Sequence, residues 1–184
     1  MPRIPYADPQ TYSPVAKAAV ERSGINLQRM MAGLSDNVLA GVGPFLSSFY
    51  SNGSLPAPLR EIAILTVGTR SNSSYEVMQH KPLAKLVGLS DSQISAVEHG
   101  GQHPGVLDAK QQAVLDFTDE LIAKVKVTDA TLARARTQLS DRQILDLIML
   151  VGGYMMVARL LETTGVEHDE KPIDWKNQVP NAVR

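Results

Sequence analysis

The chain has 184 residues, 43% of them hydrophobic, which is enough to bury the core of one domain. Its 18 basic and 19 acidic residues nearly cancel, so no overall field attracts nucleic acid or an anionic membrane. Cysteine is absent, which excludes disulfides, thiolate nucleophiles and thiolate metal ligands.

The N-terminal segment is rich in proline, which fixes φ and removes backbone donors. This composition predicts an extended arm over residues 1–13. Ser13 followed by Pro14 then predicts the start of the first helix. The arm has no apolar run of the signal-peptide kind, so we expect a cytoplasmic protein.

The first half of the chain shows apolar residues at helical spacing and no alternating run long enough to indicate a strand. The segment 58–70, PLREIAILTVGTR, is apolar almost all round, which indicates a helix buried on most sides. We interpret it as the central helix. The other helices predicted in this half cover 14–22, 26–33, 35–50 and the segment from Ser73 or Ser74 to Val87.

Two capping motifs predict helix starts in the second half of the chain. Ser90-Asp91-Ser92-Gln93 and Ser140-Asp141-Arg142-Gln143 are capping boxes, and each predicts a helix start. Between them we expect helices near 108–124 and 128–138. The segment GGQHPG at 100–105 predicts a hinge between two helical layers.

These patterns predict an all-α protein, a single compact helical domain with its core at about 30–170. The apolar stretch 145–161 contains Asp146 and Arg159, so we interpret it as a buried helix and not a membrane span. The tail at 165–184 has no helical period, and Trp175 is its expected anchor.

Glu76 and His80 are the candidate catalytic pair. They lie four residues apart, on the apolar face of the helix that begins near Ser73. Two ionisable groups in that position are costly to bury unless they satisfy each other, and the spacing predicts that they meet. Such a pair is suited to general acid–base catalysis.

The preceding helix adds further candidates. Glu61 repeats the buried acid one helix earlier and is the third candidate catalytic residue. Arg70 can grip a substrate carboxylate with two hydrogen bonds. Tyr75 can add a hydroxyl donor, and we group Ser73 with these two as substrate-binding candidates.

Structural explanations exist for the same residues. A Glu–His pair at this spacing also serves as an ordinary hydrogen bond, and both Glu61 and Arg70 can simply complement a helix dipole. His99, His103 and His168 lie in or beside polar loops without metal-ligand spacing. We therefore predict no metal site.

Three segments together carry a family resemblance. REIAIL at 60–65, then Ser73 to Glu76 with His80, then GLSDSQI at 88–94 resemble the carboxymuconolactone decarboxylase family and its alkylhydroperoxidase D-like relatives. The resemblance extends over about residues 30–170 and implies an alkylhydroperoxidase D-like helical bundle.

The resemblance also separates two branches of the family. In the peroxidase branch a glutamate precedes a C-x-x-C pair and a histidine. Glu61 and His80 match the glutamate and the histidine, but Ser73 and Glu76 occupy the two cysteine positions. Thiol peroxidase activity is thereby excluded, because no peroxidatic thiolate exists.

The cysteine-free, decarboxylase-like branch implies a lyase that needs no cofactor and removes CO₂ from a small lactone acid or carbonyl acid. It also implies a homo-oligomer, a trimer or a hexamer. On this hypothesis Arg70 holds the carboxylate, His80 reprotonates the carbon and Glu76 orients His80. Isomerisation, dehydration or lactone opening by the same pair stays open, as does a non-catalytic ligand-binding oligomer.

Overall fold

The computed structural model describes residues 1–51, 53–101 and 104–183, and in these residues the backbone forms ten α-helices and no strand. The all-α prediction is confirmed. In chain order the helices are α1 (Pro14–Ser23), α2 (Asn26–Met31), α3 (Asp36–Ser51), α4 (Ala57–Arg70), α5 (Ser74–Leu86), α6 (Asp91–Glu98), α7 (Ala109–Lys124), α8 (Asp129–Arg136), α9 (Asp141–Thr164) and α10 (Trp175–Gln178).

Local capping chemistry sets several helix boundaries. Both predicted capping boxes are formed: the Ser90 hydroxyl accepts from the Gln93 amide while the Gln93 side chain accepts from the Ser90 amide, and Ser140 does the same with Gln143. Helix α9 ends at Gly165, whose φ of 68° is a left-handed conformation that glycine adopts without steric cost.

Helix α4 is the central helix, as predicted from its apolar sequence. It packs against α5, α6, α7 and α9, and side chains on every side of it are fully buried. Because α4 and α5 are neighbours in the chain and in space, groups on both can meet in the interior. This arrangement brings Glu61 of α4 within reach of α5.

Helix α9 is long and apolar enough to cross a membrane, judged by length and composition alone, and half of its most apolar window is buried within the protein. Its inner face packs on α4 and includes Leu147, Leu150 and Val151. Leu145 and Met149 are exposed on its outer face. The expected buried helix is therefore buried on one side.

The N-terminal arm and the described part of the tail lie against the helices. The arm pairs with the end of α9, where the Arg3 amide donates to the Thr164 carbonyl at 2.6 Å. The tail differs from the prediction because it contains α10, which begins where the Asp174 carboxylate accepts a hydrogen bond from the Asn177 amide. Trp175 is buried, as predicted for an anchor, and packs against Leu83 of the same chain.

The segment predicted as a hinge is only partly described. Gly100 and Gly101 both adopt positive φ, 73° and 71°, which suits a glycine turn after α6. Gln102 and His103 lie outside the described residues, so the hinge stays a prediction.

Candidate active site

An apolar cavity of about 620 Å³ lies beside helix α5. Helices α1, α2, α3, α5 and α9 and the tail all contribute to its wall. Glu76 and His80 line it and are no more than 5% exposed, and the exposed Arg22 lines it as well. The volume suits a small organic molecule. Most of the remaining wall is aliphatic or aromatic, including Leu39, Leu46, Val157, Leu161, Ile173 and Val179.

His80 is held by a carboxylate on the neighbouring helix. Its Nδ1 lies 2.8 Å from Glu61 Oε2, and Glu61 Oε1 accepts a hydrogen bond from Arg60 Nε at 2.9 Å. Arg60 and Glu61 are 2% and 0% exposed. The carboxylate thus bridges a guanidinium and an imidazole away from water, and this leaves Nε2 of His80 as the nitrogen available to a bound molecule. We call these three residues the Arg60–Glu61–His80 relay.

Glu76 is not part of the relay. Its carboxyl is 2% exposed, and neither oxygen has a hydrogen-bond partner among the described residues. Burial raises the pKa of this carboxyl well above its usual value, and the negative charge of Glu162 adds to the effect. The raised pKa favours the protonated form of Glu76, which can act as a hydrogen-bond donor or an acid.

A glycine on α4 makes room for this carboxyl. A Cβ at Gly68 would lie 3.4 Å from Glu76 Oε1 and 3.1 Å from Val77 Cγ2. The close approach of the two helices at Gly68 is what keeps water from the carboxyl on that side. Gly68 therefore has a packing role next to the site.

Aromatic rings fix the orientation of His80. The Tyr154 ring meets it edge to face at a centroid distance of 5.2 Å, and the Trp175 ring lies 5.1 Å away. Trp175 is itself fixed, since its Nε1 donates to the Gln79 carbonyl at 2.8 Å. The imidazole is therefore positioned by a hydrogen bond at one nitrogen and by two rings.

No protein-family model and no curated protein matches the sequence. Solved structures do match. A peroxidase-related protein from Ralstonia eutropha JMP134, described as an alkylhydroperoxidase AhpD core, has a TM-score of 0.78 at 15% identity over 92% of this chain and 93% of that one. A peroxidase-related protein from Silicibacter sp. TM1040 has 0.71 at 19% identity over 90% of each chain.

The debrominase Bmp8, solved in complex with 2,3,4-tribromopyrrole, has a TM-score of 0.70 at 11% identity over 95% of this chain and 91% of its own. The chain has the alkylhydroperoxidase D fold. The resemblance inferred from three sequence segments is confirmed at the level of the fold. Identities this low establish the fold alone, so the roles of residues depend on the geometry described above.

Within this alkylhydroperoxidase D fold the predicted pairing of Glu76 with His80 is wrong. His80 bonds to Glu61 of α4, 19 positions earlier in the chain. The spacing within α5 does place Glu76 and His80 on one face, and both line the cavity. However, the His80 ring faces the Glu61 carboxylate, which Arg60 also binds. The Nδ1 of His80 therefore bonds Glu61 on α4 and not Glu76 on its own helix.

Two of the three predicted substrate-binding residues lie elsewhere. Arg70 makes two hydrogen bonds to the carboxylate of Asp119 on α7, at 2.7 and 3.1 Å, and does not belong to the cavity wall. Its position at the end of α4 directs it toward α7. Ser73 is fully buried and also outside the wall, and its hydroxyl has no hydrogen-bond partner among the described residues.

Tyr75 does line the cavity, but its hydroxyl is already engaged. It donates to Asp169 Oδ2 at 2.5 Å and accepts from the Leu27 amide at 3.2 Å. Burial, with the hydrogen bond to Asp169, raises the pKa of this phenol. Tyr75 therefore contributes a ring to the wall and ties α5 to α2 and the tail.

Four residues of the site were not predicted as members of it. In the sequence Arg60 stands out only as the first residue of the REIAIL segment, and Trp175 only as the expected anchor of the tail. Tyr50 and Tyr154, which line the cavity from α3 and α9, carried no signal in a single sequence. A buried Arg-Glu pair in the run REIAIL was the one available hint, because two adjacent charges in an otherwise apolar segment need a partner.

A carboxyl that stays protonated in the folded protein makes stability depend on pH. The unfolded chain loses this proton near 4.5, whereas folded Glu76 keeps it to higher pH. Stability is therefore greatest below the unfolded pKa and falls as the pH rises toward the folded pKa. We expect Glu76→Gln to remove this loss, which amounts to about 1.4 kcal/mol per pH unit.

Urea denaturation at several pH values above 4.5 measures the difference. The matched control is Glu162→Gln, which removes an exposed carboxylate that lies near Glu76. In the Glu162→Gln control the free energy of unfolding should still fall as the pH rises, as in the wild type. Parallel curves for wild type and Glu76→Gln would show that Glu76 is ionised in the folded protein.

Proposed function

We propose that this protein is a cofactor-free acid–base lyase that removes CO₂ from a small lactone acid or carbonyl acid. The observation that carries the proposal is the presence of a buried carboxyl without a hydrogen-bond partner, Glu76, and an oriented imidazole, His80, on the wall of one apolar cavity. In this proposal Glu76 hydrogen-bonds the carbonyl oxygen of the substrate, and His80 protonates the carbon that loses CO₂.

The reaction starts with the substrate carboxylate in the apolar cavity, where it loses the hydration that stabilises it. The bond between carbon and the carboxylate breaks, and its electron pair moves through the conjugated double bond onto the carbonyl oxygen. That oxygen takes the proton of Glu76, so an enol and CO₂ result. No metal or organic electron sink is needed if the substrate supplies the carbonyl itself.

The second half returns the electron pair to carbon. The His80 imidazolium delivers its proton to the vacated carbon while the enol oxygen returns a proton to Glu76. The net reaction consumes one proton, taken from solvent when His80 is recharged. Glu61 supports this role because its carboxylate stabilises the imidazolium and fixes the ring, and Arg60 fixes Glu61.

One observation favours a second candidate, an isomerase acting on a neutral carbonyl compound. Arg70 is bound to Asp119 outside the cavity, so it does not hold a substrate carboxylate there. In an isomerisation neutral His80 removes a proton beside the carbonyl and returns it at another carbon. Glu76 hydrogen-bonds the carbonyl oxygen in both reactions.

A screen in D₂O separates the two candidates. Lactone acids and conjugated carbonyl acids are incubated with the protein while CO₂ release and deuterium at carbon are measured. The lyase releases CO₂ and places one solvent deuteron on the vacated carbon. Deuterium incorporation without CO₂ selects the isomerase, and compounds that bind without either change would contradict both enzymes. Small flat rings come first, because Bmp8 of the same fold is solved with 2,3,4-tribromopyrrole.

A further inference from the structure

Two tyrosine hydroxyls meet at the cavity wall. Tyr50 of α3 and Tyr154 of α9 lie 104 positions apart in the chain, and their hydroxyls are joined by a hydrogen bond. Both residues line the cavity that contains His80 and Glu76. We call them the tyrosine pair. The reaction proposed above does not use them.

The tyrosine pair has one proton more than its internal bond requires. Two hydroxyls carry two protons, and the bond between them uses one. Among the described residues no other group accepts a hydrogen bond from either hydroxyl. The second proton is therefore available to a molecule in the cavity.

Neighbouring groups hold both rings in place. The Arg60 guanidinium lies 4.5 Å above the Tyr50 ring, and the Trp175 ring is 5.9 Å from it. Tyr154 is 6% exposed and meets the His80 ring edge to face. The donor is thus fixed before any ligand arrives, which is the condition under which a hydrogen bond stabilises a developing charge most strongly.

We propose that the Tyr50–Tyr154 pair is an oxyanion-binding site that donates a hydrogen bond to the substrate carbonyl oxygen while negative charge develops on it, before that oxygen takes the proton of Glu76. The proposal rests on the function proposed above, in which this oxygen receives the electron pair. Glu76 supplies one donor to the oxygen and the tyrosine pair supplies the second. The ligand class is a planar carbonyl compound whose enolate or phenolate oxygen is recognised by neutral donors.

Electrostatics supports the donor role. Burial raises the pKa of both phenols, with the charge of Glu61 adding to the effect for Tyr50 and the contact with Tyr50 adding to it for Tyr154. The phenols therefore stay protonated. A hydrogen bond from one phenol to the other also polarises the second, so the outer proton is a stronger donor than that of a single tyrosine.

The test is a binding experiment with 4-nitrophenolate, a flat ring whose negative charge is shared between the phenolate oxygen and the nitro group. Trp175 is the one tryptophan of the sequence and lies in the cavity wall, so quenching of its fluorescence reports binding. Tyr50→Phe and Tyr154→Phe keep the rings and remove the hydroxyls. We expect each variant to bind 4-nitrophenolate at least about tenfold more weakly than the wild type.

Nitrobenzene is the matched probe, because it has the same ring and nitro group without the oxyanion, and its binding should not change. Tyr12→Phe, which removes a hydroxyl outside the cavity wall, should leave both probes unaffected. Equal losses for the two probes, or no loss for either, would overturn the proposal. Benzoate adds a third arm: a tenfold loss for benzoate alone would assign the pair to a carboxylate and overturn the enolate assignment.

The outcome is separable from that of the proposed function, because the binding assay needs no turnover. If no acid loses CO₂ but the tyrosine hydroxyls are required for binding of 4-nitrophenolate, the oxyanion site is supported and the lyase proposal is contradicted. If CO₂ is released and the tyrosine variants bind 4-nitrophenolate like the wild type, only the proposal of the oxyanion site is contradicted.

Discussion

Glu61→Ala is expected to lower the free energy of unfolding by about 3–5 kcal/mol, since it removes the one carboxylate that Arg60 and His80 share. Arg60 is 2% exposed, so its charge would be left in the interior without a counterion. The second bond of its guanidinium, to the Ala182 carbonyl, does not replace the lost charge. Urea denaturation of wild type and variant measures the loss.

The same helix provides the matched control. Arg70 also pairs with a carboxylate, but the two side chains are 27% and 32% exposed. Water screens such a pair, and Asp119→Ala is expected to cost no more than about 1 kcal/mol. The double variant Arg60→Met/Glu61→Leu should recover much of the loss, because an apolar pair replaces the buried charges. If Glu61→Ala costs no more than Asp119→Ala, the relay is not shielded from water.

The helices were predictable because their signals are local. Ser140 and Gln143 are three residues apart, and the hydrogen bonds that they form depend only on the turn between them. The apolar sequence of α4 likewise required burial on all sides wherever the helix was placed. The bounds of α4 and the start of α9 therefore follow from the sequence to within a residue or two.

The cavity face of α5 was predictable for the same reason, but the partner of His80 was not. Helical spacing places Glu76 and His80 on one face, and both do line the cavity. Which carboxylate His80 bonds depends on how α4 packs on α5, and on Arg60 holding Glu61 in place. A single sequence shows which residues are candidates for a contact between helices, but it does not show which of them make the contact.

The tyrosine pair shows most clearly which contacts a single sequence does not predict. Tyr50 and Tyr154 come from α3 and α9, and neither stands in a motif. Their contact requires both helices to border one cavity, which is a property of the whole fold. The tail is a similar case, since Trp175 was an expected anchor but its contact with His80 depends on where the tail folds back.

His80→Gln is expected to lower kcat by about 100-fold to 10,000-fold on any substrate that the protein decarboxylates or isomerises. Glutamine fills similar space and can still hydrogen-bond Glu61, but it cannot deliver or accept a proton. Binding of nitrobenzene, followed by Trp175 fluorescence, should persist and show that the cavity is intact. His168→Gln is the control, because this histidine is exposed and bonds the Ser74 hydroxyl away from the relay.

A variant that binds normally but turns over slowly assigns the proton transfer to His80, whereas a loss of binding and turnover together would indicate only damage to the wall. Full turnover in His80→Gln would remove His80 from the reaction. Glu76 would then be the next candidate for the proton donor, and Glu76→Gln tests it in the same assay. Because glutamine keeps the hydrogen-bond donor of a protonated carboxyl, a slow Glu76→Gln variant would mean that the proton itself is transferred.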